Sequence, residues 1–371
     1  MIEENTDVSI HHSIIQSGTV YIAMCYTPRG RQPVCASLTV NEPIGFGSFG
    51  RVYKARINQL NRVVALKQVL QKPCQMEDEV DIMCDIEEHC NIVRLLMYFH
   101  AQLGNPPQKH LLMALEYMPM TLLDYLEQHG QGSVPLVYVR ILSYQLFRGL
   151  AFLHSLHICH QDIKPDNMLM DPSTMNLKLG DFGSSRFVGS KVFSPCACPR
   201  PYRAPELLAN CSSYSTSVDI WSASCVLAEM LKGSLLFDHM EDDQKQMLQI
   251  VCMLGTSGLE SAKYLMDATG ITLVEIGTST DWKLLLGVDL PPDLEDLLNS
   301  CLAYHPDNRI PPLYACAHAS YDELRIMVAM KSRMPNGAHL PPLFNFSEQE
   351  LNVDANLRLQ LLPVYMDGRE S

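Results

Sequence analysis

The run His160-Gln161-Asp162-Ile163-Lys164-Pro165-Asp166-Asn167 is followed, fourteen residues after Asn167, by Asp181-Phe182-Gly183. An aspartate base, a lysine and an amide on one loop, then a second aspartate able to ligate a cation, are the side chains that phosphoryl transfer from magnesium-bound ATP requires. In that chemistry Asp162 orients the attacking hydroxyl and accepts its proton, and Lys164 neutralises the transferring group. Asn167 and Asp181 hold Mg²⁺. A lone Asp or Asn is far more often an Asx turn than a catalyst. Four such residues in this order change that reading.

These residues need a partner that grips the nucleotide. Gly45-Phe46-Gly47-Ser48-Phe49-Gly50-Arg51-Val52 is a Gly-x-Gly-x-x-Gly-x-Val loop, and glycines let backbone N–H groups approach phosphates closely. A dinucleotide loop of similar spacing opens a helix, whereas this one runs into the β-rich Val52-Tyr53-Lys54. Fifteen residues after Val52, Val64-Ala65-Leu66-Lys67 places a lysine at the end of a buried strand. Its charge demands a carboxylate. Glu79, twelve residues on in an acidic helical stretch, is preferred over Glu77, Glu87 and Glu88. A surface lysine among ordinary helix charges is the bland alternative.

Around these motifs the chain reads as strands from about 38 to 67, with Ser17–Met24 as an edge strand before them, and His110–Tyr117 as a further apolar strand. Past Pro119 helical spacing takes over, at Leu136–Leu156 and Ser217–Leu231. Strands first and helices afterwards predict an α+β fold with a small β-rich lobe and a larger helical one. Residues 1–37 form an N-terminal extension, disordered in part; 38–118 the first lobe and its hinge; 119–325 the second lobe; 326–371 a tail packed on it.

The bulk numbers narrow the partners. With 371 residues, 47% hydrophobic content and a net charge of −13, the chain is of ordinary globular composition and carries no basic stripe to release counterions from nucleic acid or an anionic membrane. No N-terminal apolar stretch follows a basic start. The 13 cysteines are scattered without paired spacing, which reads as reduced thiols in the cytosol or nucleus.

Beyond the motifs, the segments His89-Cys90-Asn91-Ile92-Val93-Arg94-Leu95, Tyr144-Gln145-Leu146-Phe147-Arg148, Tyr202-Arg203-Ala204-Pro205-Glu206-Leu207, Ala315-Cys316-Ala317-His318 and Leu343-Phe344-Asn345-Phe346 resemble the glycogen synthase kinase 3 family, of the CMGC group of serine/threonine protein kinases, over about 38–351. The resemblance implies the bilobal eukaryotic protein kinase fold, protein substrates, and ATP and Mg²⁺ as cofactors. It implies a nucleotide site of Ile44, Gly45, Gly47, Ser48, Phe49, Gly50, Val52, Ala65, Lys67, Leu115 (the gatekeeper), Glu116, Met118, Asn167 and Asp181. Asp162, Lys164, Lys67 and Glu79 carry catalysis. Ala204-Pro205-Glu206 closes the activation segment, and Arg309 is expected to pair with Glu206 in the interior.

The departures are as informative. The family reads a phosphate already on its substrate with three basic residues, which fall here at Asp78, Gln161 and Arg186. At roughly 1.5–3 kcal/mol per charged hydrogen bond, losing two costs about 3–6 kcal/mol, on the order of a hundredfold to ten-thousandfold in affinity. Dependence on such primed substrates should weaken. The regulatory tyrosine aligns with Cys196, and the scaffold-docking stretch at 255–282 matches poorly, so scaffold partners do not carry over. Two other readings stand beside an active kinase. A pseudokinase scaffold would typically have lost one of Lys67, Glu79, Asp162, Asn167 or Asp181, and all are present. A small-molecule phosphotransferase would not need Ala204-Pro205-Glu206.

Overall fold

The computed structural model describes residues 15–30, 32–47, 50–71, 78–130, 134–189, 198–211, 215–255, 263 and 280–362. They fall into two compact units, residues 1–85 with 94–117, and residues 86–93 with 118–371. The fold is the α+β one expected. The first unit carries strand structure and one described α-helix, and the second is mainly helical.

In the first unit, β1 (Val20–Cys25), β2 (Val34–Gly47), β3 (Gly50–Ile57), β4 (Arg62–Leu70), β5 (Leu95–Leu103) and β6 (Gln108–Glu116) form an antiparallel sheet in the order β1-β2-β3-β4-β6-β5. The edge strand expected before the lobe is β1, an integral part of this sheet. Tyr26 and Tyr98 exchange backbone hydrogen bonds of 2.8 and 2.9 Å, bringing the end of β1 against β5. The period-2 rule sorts the side chains. Tyr53, Ala55, Val64, Leu66, Leu112 and Ala114 fill one apolar core, and Val52, Ala65, Lys67, Met113 and Leu115 take the other face. Helix α1 (Asp78–Asp85) follows β4 in sequence and buries Val80, Ile82 and Met83.

The second unit is organised on α2 (Leu122–His129), α3 (Leu136–Ser155), α4 (Pro205–Leu208), α5 (Ser217–Lys232) and α6 (Asp243–Leu254), with further helices at Trp282–Leu286, Pro292–Cys301, Pro312–Ala317 and Asp322–Ala329. Thr121 starts α2 with a reciprocal capping box to Asp124. The three- and four-residue spacing read as helical is α3, and in the fold it is buried almost all round. Its length and apolarity would suffice to cross a membrane, but 83% of its most apolar window lies inside the unit. It is the core helix. Gly149 permits this, because a Cβ there would lie 3.0 Å from Leu179 and 3.2 Å from the Asn91 carbonyl.

Two small sheets of short strands carry the chemistry-bearing loops. β9 (Met168–Asp171) pairs with both β10 (Asn176–Leu179) and β7 (Met120–Thr121), and β8 (Ile158–Cys159) pairs with β11 (Arg186–Phe187). The loop 160–167 thus leaves β8 and enters β9, and Asp181 follows β10 by two residues. The charge pair anticipated from sequence is present: Arg309 meets Glu206 with two hydrogen bonds of 2.6 and 2.7 Å, both side chains being sealed from solvent.

Candidate active site

Strand register aligns the first group of residues. Gly45 lies opposite Val52, and Val52 opposite Lys67, so the glycine loop, the valine and the lysine form one row across β2, β3 and β4. Ala65 faces Leu115 between β4 and β6, two residues along on the same face. Gly50 sits at φ 142°, where a Cβ would come within 2.0 Å of the Gln68 carbonyl. No side chain fits there. Ser48 and Phe49 lie outside the described residues. Ile44 is exposed, and Glu116 and Met118 are half-buried at and just past the end of β6.

Lys67 is buried, and its Nζ reaches Glu79 Oε1 on α1 at 2.5 Å. Burying an ammonium group in this row is tolerable because the carboxylate neutralises it. Glu87 and Glu88, weighed as alternatives, lie beyond the end of α1. Glu77 is outside the described residues.

In the second unit the loop after β8 gathers the rest. Asp162 is buried, and its Oδ2 accepts from Lys164 Nζ at 2.9 Å and from Asn167 Nδ2 at 2.7 Å. Asn167 Nδ2 also donates to the Asp162 carbonyl at 2.7 Å, which leaves the Asn167 amide oxygen as the group offered outward. Asp162 Oδ1 is buried and has no hydrogen-bond partner among the described residues. An unpaired buried carboxylate oxygen costs free energy unless a donor arrives. Burial would lower the Lys164 pKa, but the hydrogen bond and charge of Asp162 outweigh it and raise it, so Lys164 is cationic at neutral pH.

Asp181 stands in the left-handed region at φ 56°, its carboxylate accepting from Gly183 N–H at 3.4 Å. Gly180 N–H donates to the Asn167 carbonyl at 2.8 Å, tying the Asp181 segment to the loop. Asp162, Lys164, Asn167 and Asp181 therefore share one framework within the second unit.

One residue of that framework lies in the stretch Ser217–Leu231, which the sequence shows only as helical. Asp219, buried in α5, accepts Gln161 N–H on Oδ1 at 2.9 Å, and His160 N–H and His154 Nε2 on Oδ2 at 2.8 and 3.0 Å. Burial would raise its carboxyl pKa; the His154 bond, the two nearby imidazoles and the His160 N–H prevail and lower it. Asp219 holds the loop at the two residues just before the base, where Gln161 takes φ 66°. An acidic residue in a helix's first turn is so common for dipole reasons that it carries no separate signal in the sequence. Gln161 itself is buried, with its Nε2 unpartnered among the described residues. Arg186 Nη1 is committed to the Ser185 and Gly183 carbonyls at 2.6 and 3.4 Å.

With a glycine row leading to a paired lysine, and a base, lysine, amide and aspartate on one loop system, the remaining question is whether the whole chain follows the pattern. The family model described as protein kinase domain matches residues 38–320. The chain belongs to the protein kinase family. Members transfer a phosphoryl group from ATP, with a divalent metal, to protein substrates, and that general activity and cofactor use come to this kinase with the family. The matched span begins in β2 and ends just short of Asp322–Ala329.

The residues present suit those cofactors. A carboxylate and an amide oxygen form the hard-oxygen set that Mg²⁺ prefers. The Gly50 backbone, where no side chain fits, suits a loop that must approach phosphates.

Proposed function

We propose that this kinase is a serine/threonine protein kinase of the glycogen synthase kinase 3 type, using Mg·ATP and with weakened dependence on a primed substrate. The observation that carries the catalytic reading is the state of Asp162. Its Oδ2 is saturated by Lys164 and Asn167 while its Oδ1 is buried and unpaired. An acceptor hydroxyl donating to Oδ1 would satisfy that oxygen and be aligned as the nucleophile. When bound, ATP supplies the phosphoryl group and Mg²⁺ the charge that shields it.

The chain's own residues then divide the work. Asp162 orients the hydroxyl and receives its proton. Lys164, kept cationic by Asp162, stands beside the base to stabilise developing negative charge. Asn167 and Asp181 would hold the cation with their oxygens. Lys67, fixed by Glu79, would bind the nucleotide phosphates, and the Gly45–Val52 row would lie over them. Ala65 and Leu115, paired on the same sheet face, are suited to the apolar faces of the base. Lys164 two residues after Asp162 favours serine and threonine as acceptors. The pseudokinase alternative loses ground because each of these side chains is present with its local partners.

The unprimed reading rests on Gln161. A phosphate needs cationic donors, whereas Gln161 offers one neutral buried amide, Asp78 is acidic, and Arg186 spends a guanidinium nitrogen on two backbone carbonyls. Cys196, aligned with the family's regulatory tyrosine, lies outside the described residues. The test is turnover of one peptide with and without phosphoserine four residues C-terminal to its target serine. Comparable kcat/KM for the two is expected. A hundredfold advantage of the phosphorylated peptide would overturn the unprimed reading.

A further inference from the structure

Inside the second unit, the last turns of α3 and the first turn of α5 border a cavity of about 440 Å³. Small-ligand sites span roughly 300–1,000 Å³, so the space is ample for one long side chain. Ala151 of α3, Ile220 of α5, Pro311 and Leu313 give it apolar walls. Tyr314 and Val353 also line it and are 43% and 53% exposed, which puts an apolar surface at its mouth.

The polar groups of this cavity are acceptors in search of a donor. His154 lines it with a side chain only 10% exposed. Its Nε2 lies 3.0 Å from Asp219 Oδ2. That carboxylate is held below its usual range, so Nε2–H donates to it and, in the neutral imidazole, Nδ1 keeps a lone pair. Nδ1 has no partner among the described residues. The Asp219 bond fixes the ring, so this acceptor is set in place beforehand.

Two carboxylates flank it. Asp354 Oδ1 accepts the Asn356 N–H at 2.9 Å, and Oδ2 accepts the Tyr314 hydroxyl. Those two neutral donors lower its pKa, so it is anionic without a cation beside it. The Asp307 side chain is 87% exposed, with His305 Nδ1 at 4.0 Å. That nitrogen already accepts the Asp307 N–H at 3.2 Å, so it brings the carboxylate no proton. Arg309 is the one arginine or lysine on the lining, and all five of its donors are spent. They go to both Glu206 oxygens and to the Ala303, Ser217 and Tyr304 carbonyls, at 2.6–3.2 Å. Its charge is cancelled by Glu206, which leaves the cavity with two uncompensated negative charges and an unfilled imidazole nitrogen.

We infer that this cavity is a docking site for an arginine side chain of a partner protein, flanked in that partner by aliphatic residues. A guanidinium carries its charge permanently and offers five donors in one plane, which suits acceptors spread over several walls better than the three donors of an ammonium. It also stacks on aromatic faces such as that of Tyr314. The exposed Tyr314 and Val353 are the surface on which aliphatic neighbours of the arginine would rest. A free guanidinium compound would leave that surface uncovered, so a protein segment is the better occupant.

The test uses the full chain without ATP, so it stands whether or not phosphate transfer is detected. Binding of a fluorescein-labelled Leu-Arg-Leu-Val peptide is followed by polarisation, beside a counterpart with citrulline, the neutral isostere, in place of arginine. At about pH 8, above the ordinary histidine range, the arginine peptide should bind about tenfold or more tighter, the worth of one charged hydrogen bond. Asp307→Asn should weaken it about threefold, as befits an exposed ion pair, and Asp307→Lys should weaken it about tenfold or more by reversing the charge. Asp354→Asn should add to the loss; if it loosens its own turn, the two Asp307 variants decide alone, because that carboxylate supports no hydrogen bond of the fold among the described residues. Equal binding of the arginine and citrulline peptides, no binding of either, or undiminished binding to Asp307→Lys would each overturn the inference, the last by showing that the peptide sits elsewhere.

Discussion

Replacing Asp219 by Asn tests the framework of the catalytic loop with a change of one atom type. The carboxylate accepts three hydrogen bonds, from Gln161 N–H, His160 N–H and His154 Nε2. Asn retains one acceptor oxygen; its NH₂ must face at least one N–H. If the oxygen stays with Gln161, the His160 amide is orphaned in a buried site, at about 1–3 kcal/mol. The retained bond also drops from charge-assisted to neutral, a further loss of about 1 kcal/mol. We expect on the order of 2–4 kcal/mol of destabilisation in urea unfolding. kcat should fall at least tenfold, because Gln161 and His160 directly precede Asp162. KM for ATP should move little, since Lys67 and Glu79 are held by other bonds. The pH dependence has a defined sign. The folded-state pKa of Asp219 is depressed, so its contribution is complete above the unfolded carboxylate value near 4 and fades as pH falls below it; the variant should lose that acid-limb dependence. Stability within 0.5 kcal/mol of wild type together with unchanged kcat would refute the reasoning.

Other expectations follow from the same contacts. Removing Arg309 by Arg309→Ala strands Glu206 in the interior and should cost about 3–5 kcal/mol by chemical denaturation, whereas Arg309→Met with Glu206→Leu should recover much of it. Burial, with the charge of Asp166, lifts the Glu229 carboxyl to about 7 while Tyr202 OH donates to it at 2.7 Å. Its neutral form therefore stabilises the fold below about pH 4.5, and that contribution is lost as pH rises through about 7. Glu229→Gln should remove this loss, on the order of 3 kcal/mol, visible as a flatter stability–pH curve between those values. Gln161→Arg should raise the ratio of primed to unprimed kcat/KM by about tenfold or more, the worth of one charged hydrogen bond; an unchanged ratio would separate Gln161 from phosphate recognition.

What the sequence discloses depends on how local the chemistry is. Asp162, Lys164 and Asn167 are legible because one loop must present all three, so their spacing is fixed by the reaction. Lys67 is legible through the glycine loop before it, and Glu79 only as the best of several acidic residues. The anchor Asp219 is not, because two of its three partners are backbone amides that any sequence supplies and the third, His154, lies 65 positions away. The helix α3 is legible from its spacing, but its near-complete burial is not, because helices and tail residues pack on it from several directions and a spacing pattern cannot count its neighbours. The Arg148–Glu350–His89 cluster joins residues 202 and 261 positions apart; only the resemblance of the short segments around them hints that they belong together.

The most direct measurement is transfer of labelled phosphate from Mg·ATP to an unprimed serine peptide of the type the glycogen synthase kinase 3 family accepts, with Asp162→Asn and Asp181→Asn in parallel. The account predicts transfer to serine by the wild-type chain, and its loss by at least a hundredfold in either variant. Transfer that survives Asp181→Asn, or a wild-type chain that binds Mg·ATP and yet phosphorylates neither this peptide nor its primed form, would contradict it.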